Sequence, residues 1–91
     1  DLSLLIAYEP VWAIGSGQIA SPEQASAIHG FIHDTLLSYD QSLANTPILY
    51  GGIVKADNAA AFAQAANVAG VLVGGASLDA ASFYQIIQAF A

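Results

Sequence analysis

One carboxylate in this sequence stands where it could act as a base. Glu9 follows the apolar run from Leu2 to Tyr8 and precedes Pro10-Val11-Trp12, so a strand would deliver its side chain into the start of a loop. Partial removal from water among such neighbours raises the pKa of a carboxylate and suits a general base. The position also suits a glutamate that only caps or pairs within a loop, and taken alone it favours that simpler role.

The loop after Glu9 has the composition of a lid. Residues 10 to 20 begin with the stiff segment Pro10-Val11-Trp12, continue with the apolar pair Ala13-Ile14 and contain two glycines. Loops of this length with Trp and Ile in them are uncommon as plain connections and are often functional. We expect this loop to close over a ligand beside Glu9.

Two glycine pairs follow apolar runs further along the chain. Gly51-Gly52 comes directly after Ile48 to Tyr50, and Gly74-Gly75 comes directly after Val71 to Val73. Exposed N–H groups where Gly74-Gly75 leads into a short helical turn would bind an anion, as helix N-termini do at phosphate sites. Gly51-Gly52 could do the same, although each pair taken alone is more often only a tight turn.

A dinucleotide site is the first alternative. Residues 15 to 20 match the G-x-G-x-x-A pattern, but that pattern needs its first glycine directly after a strand and a helix that opens within the motif. Gly15 instead lies six residues beyond Glu9, and the next helix signal waits for Ser21. We therefore reject this interpretation and predict no cofactor.

A metal site is the second alternative. His29 and His33 have the i, i+4 spacing of a helical metal pair, but the residues between them lack the glutamate of a zincin and no third ligand is evident. We predict no metal and interpret both as helix-flank histidines. We interpret Trp12, Tyr8 and the phenylalanines as packing residues.

The elements that must carry these residues alternate between strands and helices. Ser21-Pro22-Glu23-Gln24 combines an N-cap serine, a proline at the first helical position and a glutamine at capping-box spacing. Asp57 or its neighbour, and Asp79, stand where two further helices would begin. The predicted inward faces are Ala25, Ile28, Ile32 and Leu36 in the first helix, Ala59, Phe62, Ala63 and Ala66 in the second, and Phe83, Ile86, Ile87 and Phe90 in the third.

The strand order predicts the fold class. The expected strands are Leu2 to Tyr8, Ile48 to Tyr50 and Val71 to Val73, each read as buried on both faces and each followed by a helix. This alternation predicts an α/β fold with a parallel sheet and crossover helices. A full (β/α)₈ barrel takes about 250 residues, so 91 residues fit about three βα units of such a barrel.

Composition narrows the function classes. Only 9% of the residues are charged, against about 25% in ordinary soluble domains, so we expect much of this chain to be covered by protein outside the sequence and interpret it as a fragment. Lys55 is the only Lys or Arg, and a net charge of −6 disfavours nucleic acid and anionic membrane surfaces as partners. The absence of Cys excludes thiol chemistry and disulfides, and no apolar run reaches the length of a membrane helix.

The motifs together resemble one enzyme family. The segments AYEPVWAIGSG at 7–17, YGG at 50–52 and LVGGASL at 72–78 are similar, in this order and at these separations, to the carboxyl-terminal third of the triosephosphate isomerases. The resemblance covers nearly the whole chain. It implies that residues 1–91 form the last three strands and helices of a single (β/α)₈ TIM barrel domain.

The resemblance also implies roles for individual residues. Glu9 matches the base that moves a proton between the two carbons of dihydroxyacetone phosphate and glyceraldehyde 3-phosphate through an enediolate. The amides of Gly15, Ile53, Gly74 and Gly75 match the phosphate-binding positions. The lid and its latch correspond to Pro10, Val11, Trp12, Ala13, Ile14, Ser16, Gly17 and Tyr50. The family further implies glycolysis and gluconeogenesis, triose phosphate substrates, a cytoplasmic homodimer and no cofactor.

Two departures from the family pattern concern lid closure. The serine that usually follows Tyr-Gly-Gly is Ile53 here, which keeps the backbone N–H and loses a hydroxyl that bonds the lid. The lid's last residues, usually close to Lys-Thr-Ala, are Gln18-Ile19-Ala20. The family's substrate lysine, an asparagine and the electrophilic histidine would lie before Asp1.

Two rival hypotheses remain. The chain could be a catalytically inactive (β/α)₃ structural piece that folds only with other segments, because it lacks that lysine and histidine. It could also belong to another phosphate-binding barrel enzyme, although Glu9 within AYEPVW argues against a different base. We expect the isolated chain to be inactive.

Overall fold

The computed structural model describes residues 4–13 and 16–91 and contains one parallel sheet. Its strands lie in the order β1-β2-β3, and Tyr8 of β1 pairs with Tyr50 of β2, which pairs with Val71 of β3. The elements are β1 (Ile6–Tyr8), α1 (Pro22–Tyr39), β2 (Ile48–Tyr50), α2 (Ala59–Gln64), β3 (Gly70–Val71) and α3 (Ala80–Phe90). Short 3₁₀ turns span Val11–Ala13, Gln41–Leu43 and Gly75–Leu78. The predicted α/β class and parallel order are confirmed.

Two helices begin as their local sequences predict. At α1 the Ser21 Oγ accepts the Gln24 N–H at 3.0 Å, and the Gln24 Oε1 accepts the Ser21 N–H at 2.8 Å, which completes the capping box. At α3 the Asp79 Oδ1 accepts the N–H groups of Ala81 and Ser82 at 3.0 and 3.3 Å. These caps satisfy donors that a helix start leaves without partners.

β2 has the predicted bounds, Ile48–Tyr50, whereas β1 and β3 are shorter and less buried than predicted. β3 covers Gly70–Val71, and β1 begins at Ile6, while residues 1–3 lie outside the described part of the chain. Burial on both faces is wrong for β1, since Ala7 is exposed, and for β3, whose two residues are half-buried. In β2, which has a strand on each side, Ile48 and Tyr50 are buried. The edge strands lack a neighbour on one side, which is the physical reason for the difference.

The helix faces are only partly as predicted. In α1 the buried residues are Ala25 and His29, whereas Ile28 is exposed. In α2, Ala59 and Phe62 are buried, whereas Ala66 of the predicted face is exposed and lies beyond the end of the helix at Gln64. In α3 the buried residue is Ile86, while Phe83 and Ile87 of the predicted stripe are exposed.

The core lies between the sheet, α2 and α3. Tyr50 stacks on Phe62 with ring centroids 4.4 Å apart, and both side chains are essentially inaccessible to solvent. Val54 and Ile86 pack into the same cluster. Outside it, many large apolar side chains remain exposed, among them Leu4, Leu5, Val11, Trp12, Phe31, Leu72 and Leu78. Among the described helices, none is long and apolar enough to cross a membrane.

Candidate active site

The loops that follow the three strands surround one cavity. It has a volume of about 980 Å³ and lies at the carboxyl end of the sheet. Six of the predicted site residues line it, namely Glu9, Pro10, Gly17, Ile53, Gly74 and Gly75. Val11, Trp12 and Ser16 lie outside its lining, and Ile14 and Gly15 lie outside the described residues. The Ala13 side chain also lies outside the described part of the chain.

Glu9 is placed by the pairing of the first two strands. The Gly51 N–H donates to the Tyr8 carbonyl at 2.7 Å, which continues the β1–β2 pairing up to the residue before Glu9. The Glu9 Cβ lies 3.7 Å from the point where a Cβ on Gly51 would stand. The Glu9 side chain is exposed, so the expected partial removal from water is not seen among the described residues.

The predicted lid loop begins and ends at buried residues, Pro10 and Ala20. Pro10 is buried, and residues 11–13 form a 3₁₀ turn whose Trp12 carbonyl accepts the Ser16 hydroxyl at 3.0 Å. The Ser16 Oγ in turn accepts the Gln18 N–H at 3.2 Å, and Gly17 has a φ of +75°. Trp12 is 47% exposed, so its interpretation as a packing residue is wrong for the described chain. The loop ends at the buried Ala20.

Tyr50 lies beneath the cavity rather than in its wall. Its hydroxyl is buried and makes no hydrogen bond to any described residue. Burial raises the pKa of this hydroxyl and Tyr8 acts in the same direction, while the nearby backbone amides of Ala20 and Ile53 act in the opposite direction. A Cβ on Gly52 would collide with the Tyr50 hydroxyl, so the backbone there passes directly over the tyrosine.

The loop after β2 also contains residues that the motifs did not single out. Lys55 and Asp57 both line the cavity. The Lys55 N–H donates to the Asn58 Oδ1 at 2.7 Å, and the Asn58 Nδ2 donates to the Ile53 carbonyl at 3.2 Å. Asn58, not Asp57, is the N-cap residue of α2. Sequence analysis noted Lys55 only as the single Lys or Arg and not as a site residue, and no sequence pattern identifies the Asn58 contacts.

The loop after β3 is more open. Residues 75–78 form the short helical turn that the sequence predicts. The Gly74 carbonyl accepts both the N–H and the hydroxyl of Ser77, at 2.9 and 2.6 Å. A Cβ on Gly74 or Gly75 would meet no atom within 4 Å. Ser82 of α3 contributes a hydroxyl-bearing residue to the cavity wall that sequence analysis missed.

The charged side chains around the cavity do not attract an anion, so an anionic ligand would depend on backbone groups of this chain. Its charged lining residues are Glu9 and Asp57 against Lys55. Side chains therefore do not give the described wall a net positive charge. Backbone N–H groups of the glycine-rich loops are the donors best suited to an anionic ligand here. Within residues 4–13 and 16–91, no group of three or more His, Cys, Asp or Glu side chains could hold a metal ion.

Neither histidine lines this cavity. His29 is completely buried, with its Nδ1 at 3.1 Å from the Asn67 carbonyl and its ring edge-on to Tyr8 at 5.7 Å. Burial lowers the pKa of His29, and its interpretation as a flank residue is wrong because α1 packs this face onto β1 and the connection before β3. His33 is half-buried, and its Nε2 lies 3.1 Å from the Ala44 carbonyl.

Comparison with known proteins gives one consistent match. The family model described as triosephosphate isomerase matches residues 2–90. The triosephosphate isomerase of Acinetobacter baumannii is 56% identical over 97% of this chain and 33% of its own length. Those of a Psychrobacter species and Acidithiobacillus ferrooxidans are 54% and 56% identical, over 99% and 96% of this chain and 34% of their own lengths. The chain thus spans about one third of the length of the curated relatives it matches.

Proposed function

This chain belongs to the triosephosphate isomerase family, and we propose that it forms the carboxyl-terminal part of a single barrel domain that interconverts dihydroxyacetone phosphate and glyceraldehyde 3-phosphate. The observation that carries this proposal is that Glu9 and the loops after all three strands line the same cavity. In barrel enzymes the reaction takes place at this end of the strands. The exposed apolar side chains around the sheet support a larger assembled domain.

In the proposed reaction Glu9 moves a proton between adjacent carbons. Its carboxylate removes a proton from the carbon beside the substrate carbonyl, and the electron pair of the broken C–H bond forms the enediolate double bond as charge develops on the carbonyl oxygen. The hydroxyl proton on the first carbon then passes to the former carbonyl oxygen, and the protonated Glu9 returns its own proton to the neighbouring carbon, so that the first carbon becomes the new carbonyl. No atom is gained or lost, so the step needs no redox cofactor. A carboxylate at the edge of the cavity is within reach of such a substrate.

The remaining site residues are proposed to bind and enclose the substrate. The N–H groups of Ile53, Gly74 and Gly75, together with that of Gly15 in the lid, bind the phosphate. Residues 10–17 close over the enediolate and exclude water, and Tyr50 acts as their latch. Excluding water protects a reactive intermediate from side reactions. The buried Tyr50 hydroxyl near the Ala20 amide supports a role for Tyr50 where the lid ends.

The chain alone is proposed to be inactive. In the described structure the outer edges of β1 and β3 are unpaired, and three-stranded pieces with such edges are marginal and prone to associate. The cavity wall also provides only one cation, Lys55. An electrophile for the carbonyl has to come from other segments of the barrel.

The partners and the compartment are proposed from family membership. We place the complete protein in the cytoplasm as a homodimer that acts on triose phosphates in glycolysis and gluconeogenesis, without a cofactor. The net charge of −6 and the single basic residue support the view that nucleic acid and anionic membranes are not partners.

A complete barrel that carries this chain as its last third tests the proposed function. We expect saturable interconversion of the two triose phosphates, and Glu9→Gln should lower kcat by about 10²- to 10⁴-fold, the range for loss of a general base. Glu23→Gln is the matched control, because Glu23 is an exposed acid on α1 outside the cavity lining. A complete barrel without isomerase activity, or one indifferent to Glu9→Gln, would contradict the proposal.

A further inference from the structure

Asn58 ties together both ends of a short segment in the cavity wall. Its Oδ1 accepts the Lys55 N–H at 2.7 Å, and its Nδ2 donates to the Ile53 carbonyl at 3.2 Å. The residue occupies the N-cap position of α2 but makes no side-chain hydrogen bond to that helix. The Asn58 amide therefore holds the loop after β2 instead of capping a helix.

The backbone around this side chain is anchored from below as well. The carbonyl of Lys55 accepts the N–H groups of Asn58 and Ala59 at 3.2 and 3.0 Å, so the loop runs directly into the first turn of α2. Val54, between the two bonded residues, is buried in the core. Lys55 itself is exposed. Without Asn58, the segment from Ile53 to Lys55 would be held only at Val54 and where α2 begins.

The restraint of residues 53–55 by Asn58 matters for binding of an anionic ligand. The described cavity wall has two acids and one lysine, so the contribution of this chain to anion binding depends on backbone N–H groups rather than on side-chain charge. A donor on a mobile loop must be ordered when the ligand binds, which lowers affinity. A donor that is already in place binds without this cost and is more effective toward developing charge.

We propose that Asn58 is a positioning residue for phosphate binding, which acts through the loop of residues 53–55 and does not touch the substrate. This inference rests on the proposed function, because it assumes that the loop after β2 binds the substrate phosphate. Holding residues 53–55 in this way requires one donor and one acceptor on the same short side chain, and an asparagine amide provides both. Alanine provides neither, and aspartate keeps only the acceptor.

The test compares ligands with and without a phosphate in the complete barrel. Asn58→Ala should raise the inhibition constant of glycerol 3-phosphate by about three- to tenfold, the effect of losing about one net hydrogen bond. Turnover of glyceraldehyde, which has no phosphate, should stay within about twofold of the unmodified protein. If Asn58 had a purely structural role, its loss would impair glycerol 3-phosphate binding and glyceraldehyde turnover alike. Asn58→Asp should weaken glycerol 3-phosphate binding too, because it lacks the donor to Ile53.

Asn45→Ala is the matched control. Asn45 is an exposed asparagine that lines a different cavity, beside the amino end of β2. That cavity has no lining residue in common with the active-site cavity. This variant should bind glycerol 3-phosphate as the unmodified protein does. An unchanged inhibition constant in Asn58→Ala, in a barrel whose activity still depends on Glu9, would overturn the inference and leave the proposed function intact. An inactive unmodified barrel would instead reject the proposed function.

Amide hydrogen exchange gives a measurement that needs no variant. The Lys55 N–H belongs to an exposed residue but donates to Asn58, whereas the N–H of exposed Asp57 makes no hydrogen bond among the described residues. We expect the Lys55 amide to exchange at least tenfold more slowly than the Asp57 amide after correction for sequence. Equal exchange rates would show that Asn58 does not hold the loop in solution, whether or not the variants fold.

Discussion

The two glycine pairs follow neighbouring strands, and their surroundings differ. Beneath Gly51-Gly52, a Cβ on Gly52 would collide with the Tyr50 hydroxyl, and one on Gly51 would lie 3.1 Å from the Tyr8 carbonyl. Around Gly74-Gly75 a Cβ would meet no atom within 4 Å. The first pair thus needs glycine for packing within the fold. The second has no such need in the described structure, which leaves room for a ligand close to its backbone.

The largest difference between the two loops is expected in stability, when one methyl group is added to each. Gly52→Ala should lower the free energy of unfolding of the complete protein by about 1 to 3 kcal/mol, because the added Cβ has to displace the Tyr50 ring from its stack on Phe62. Gly75→Ala, the matched change in open space, should stay within about 0.5 kcal/mol. Urea denaturation measures both. Equal losses in the two variants would remove the proposed difference between the loops.

A second, smaller difference is expected in ligand affinity when a hydroxyl is added to the residue after each glycine pair, Ile53 or Ala76. In a complete barrel, Ile53→Ser should tighten binding of a phosphate-bearing enediolate analogue by about two- to tenfold, because the new hydroxyl can bond a lid amide, and one net hydrogen bond is worth about 0.5 to 1.5 kcal/mol. Ala76→Ser adds the same hydroxyl after the other pair and should leave affinity unchanged. Equal or weaker binding by Ile53→Ser would mean that this protein latches its lid differently.

The smallest effect is expected at Tyr50, the residue before Gly51-Gly52, and concerns how stability depends on pH. Burial raises the pKa of the Tyr50 hydroxyl above its ordinary value of about 10. The folded state therefore keeps this proton more tightly than the unfolded state, so the associated stability is present below about pH 10 and is lost as the pH rises through the folded pKa. Tyr50→Phe should make the alkaline loss of stability less steep.

At neutral pH the same variant should change stability by no more than about 1 kcal/mol, because the hydroxyl has no hydrogen-bond partner among the described residues. Tyr84→Phe is the control, since Tyr84 is 60% exposed on α3. Urea midpoints between pH 8 and about pH 11 measure the slopes. A Tyr50→Phe protein that loses stability as steeply as the control would contradict this account.

The elements that sequence analysis predicted well are those with local causes. The capping box at Ser21 and the cap at Asp79 involve residues within one helical turn, so their types and spacing were sufficient. Gly51-Gly52 directly follows β2 as predicted, whereas Leu72 and Val73 separate Gly74-Gly75 from the end of β3. Six of the predicted site residues, on three separate loops, line one cavity because the carboxyl ends of parallel strands share one edge of the sheet.

Contacts between distant segments could not be predicted in this way. Periodicity placed Ile28 on the inner face of α1 and His29 on its flank, yet the structure buries His29 against Asn67 and Tyr8 and leaves Ile28 exposed. The orientation of a helix about its axis depends on what it packs against. The apolar stripe of α1 is too weak to determine that orientation alone.

The sequence by itself determined the order of strands and helices, the helix starts and the family, because each depends on residues close together in the chain or on motifs in a given order. Only the tertiary structure decided that Gly52 lies on the Tyr50 hydroxyl and that Asn58 holds residues 53–55. Asparagine and glycine occur in most loops, and a sequence gives their types without the path of the backbone around them. Their contacts arise only when β2 and α2 bring that path into a defined position.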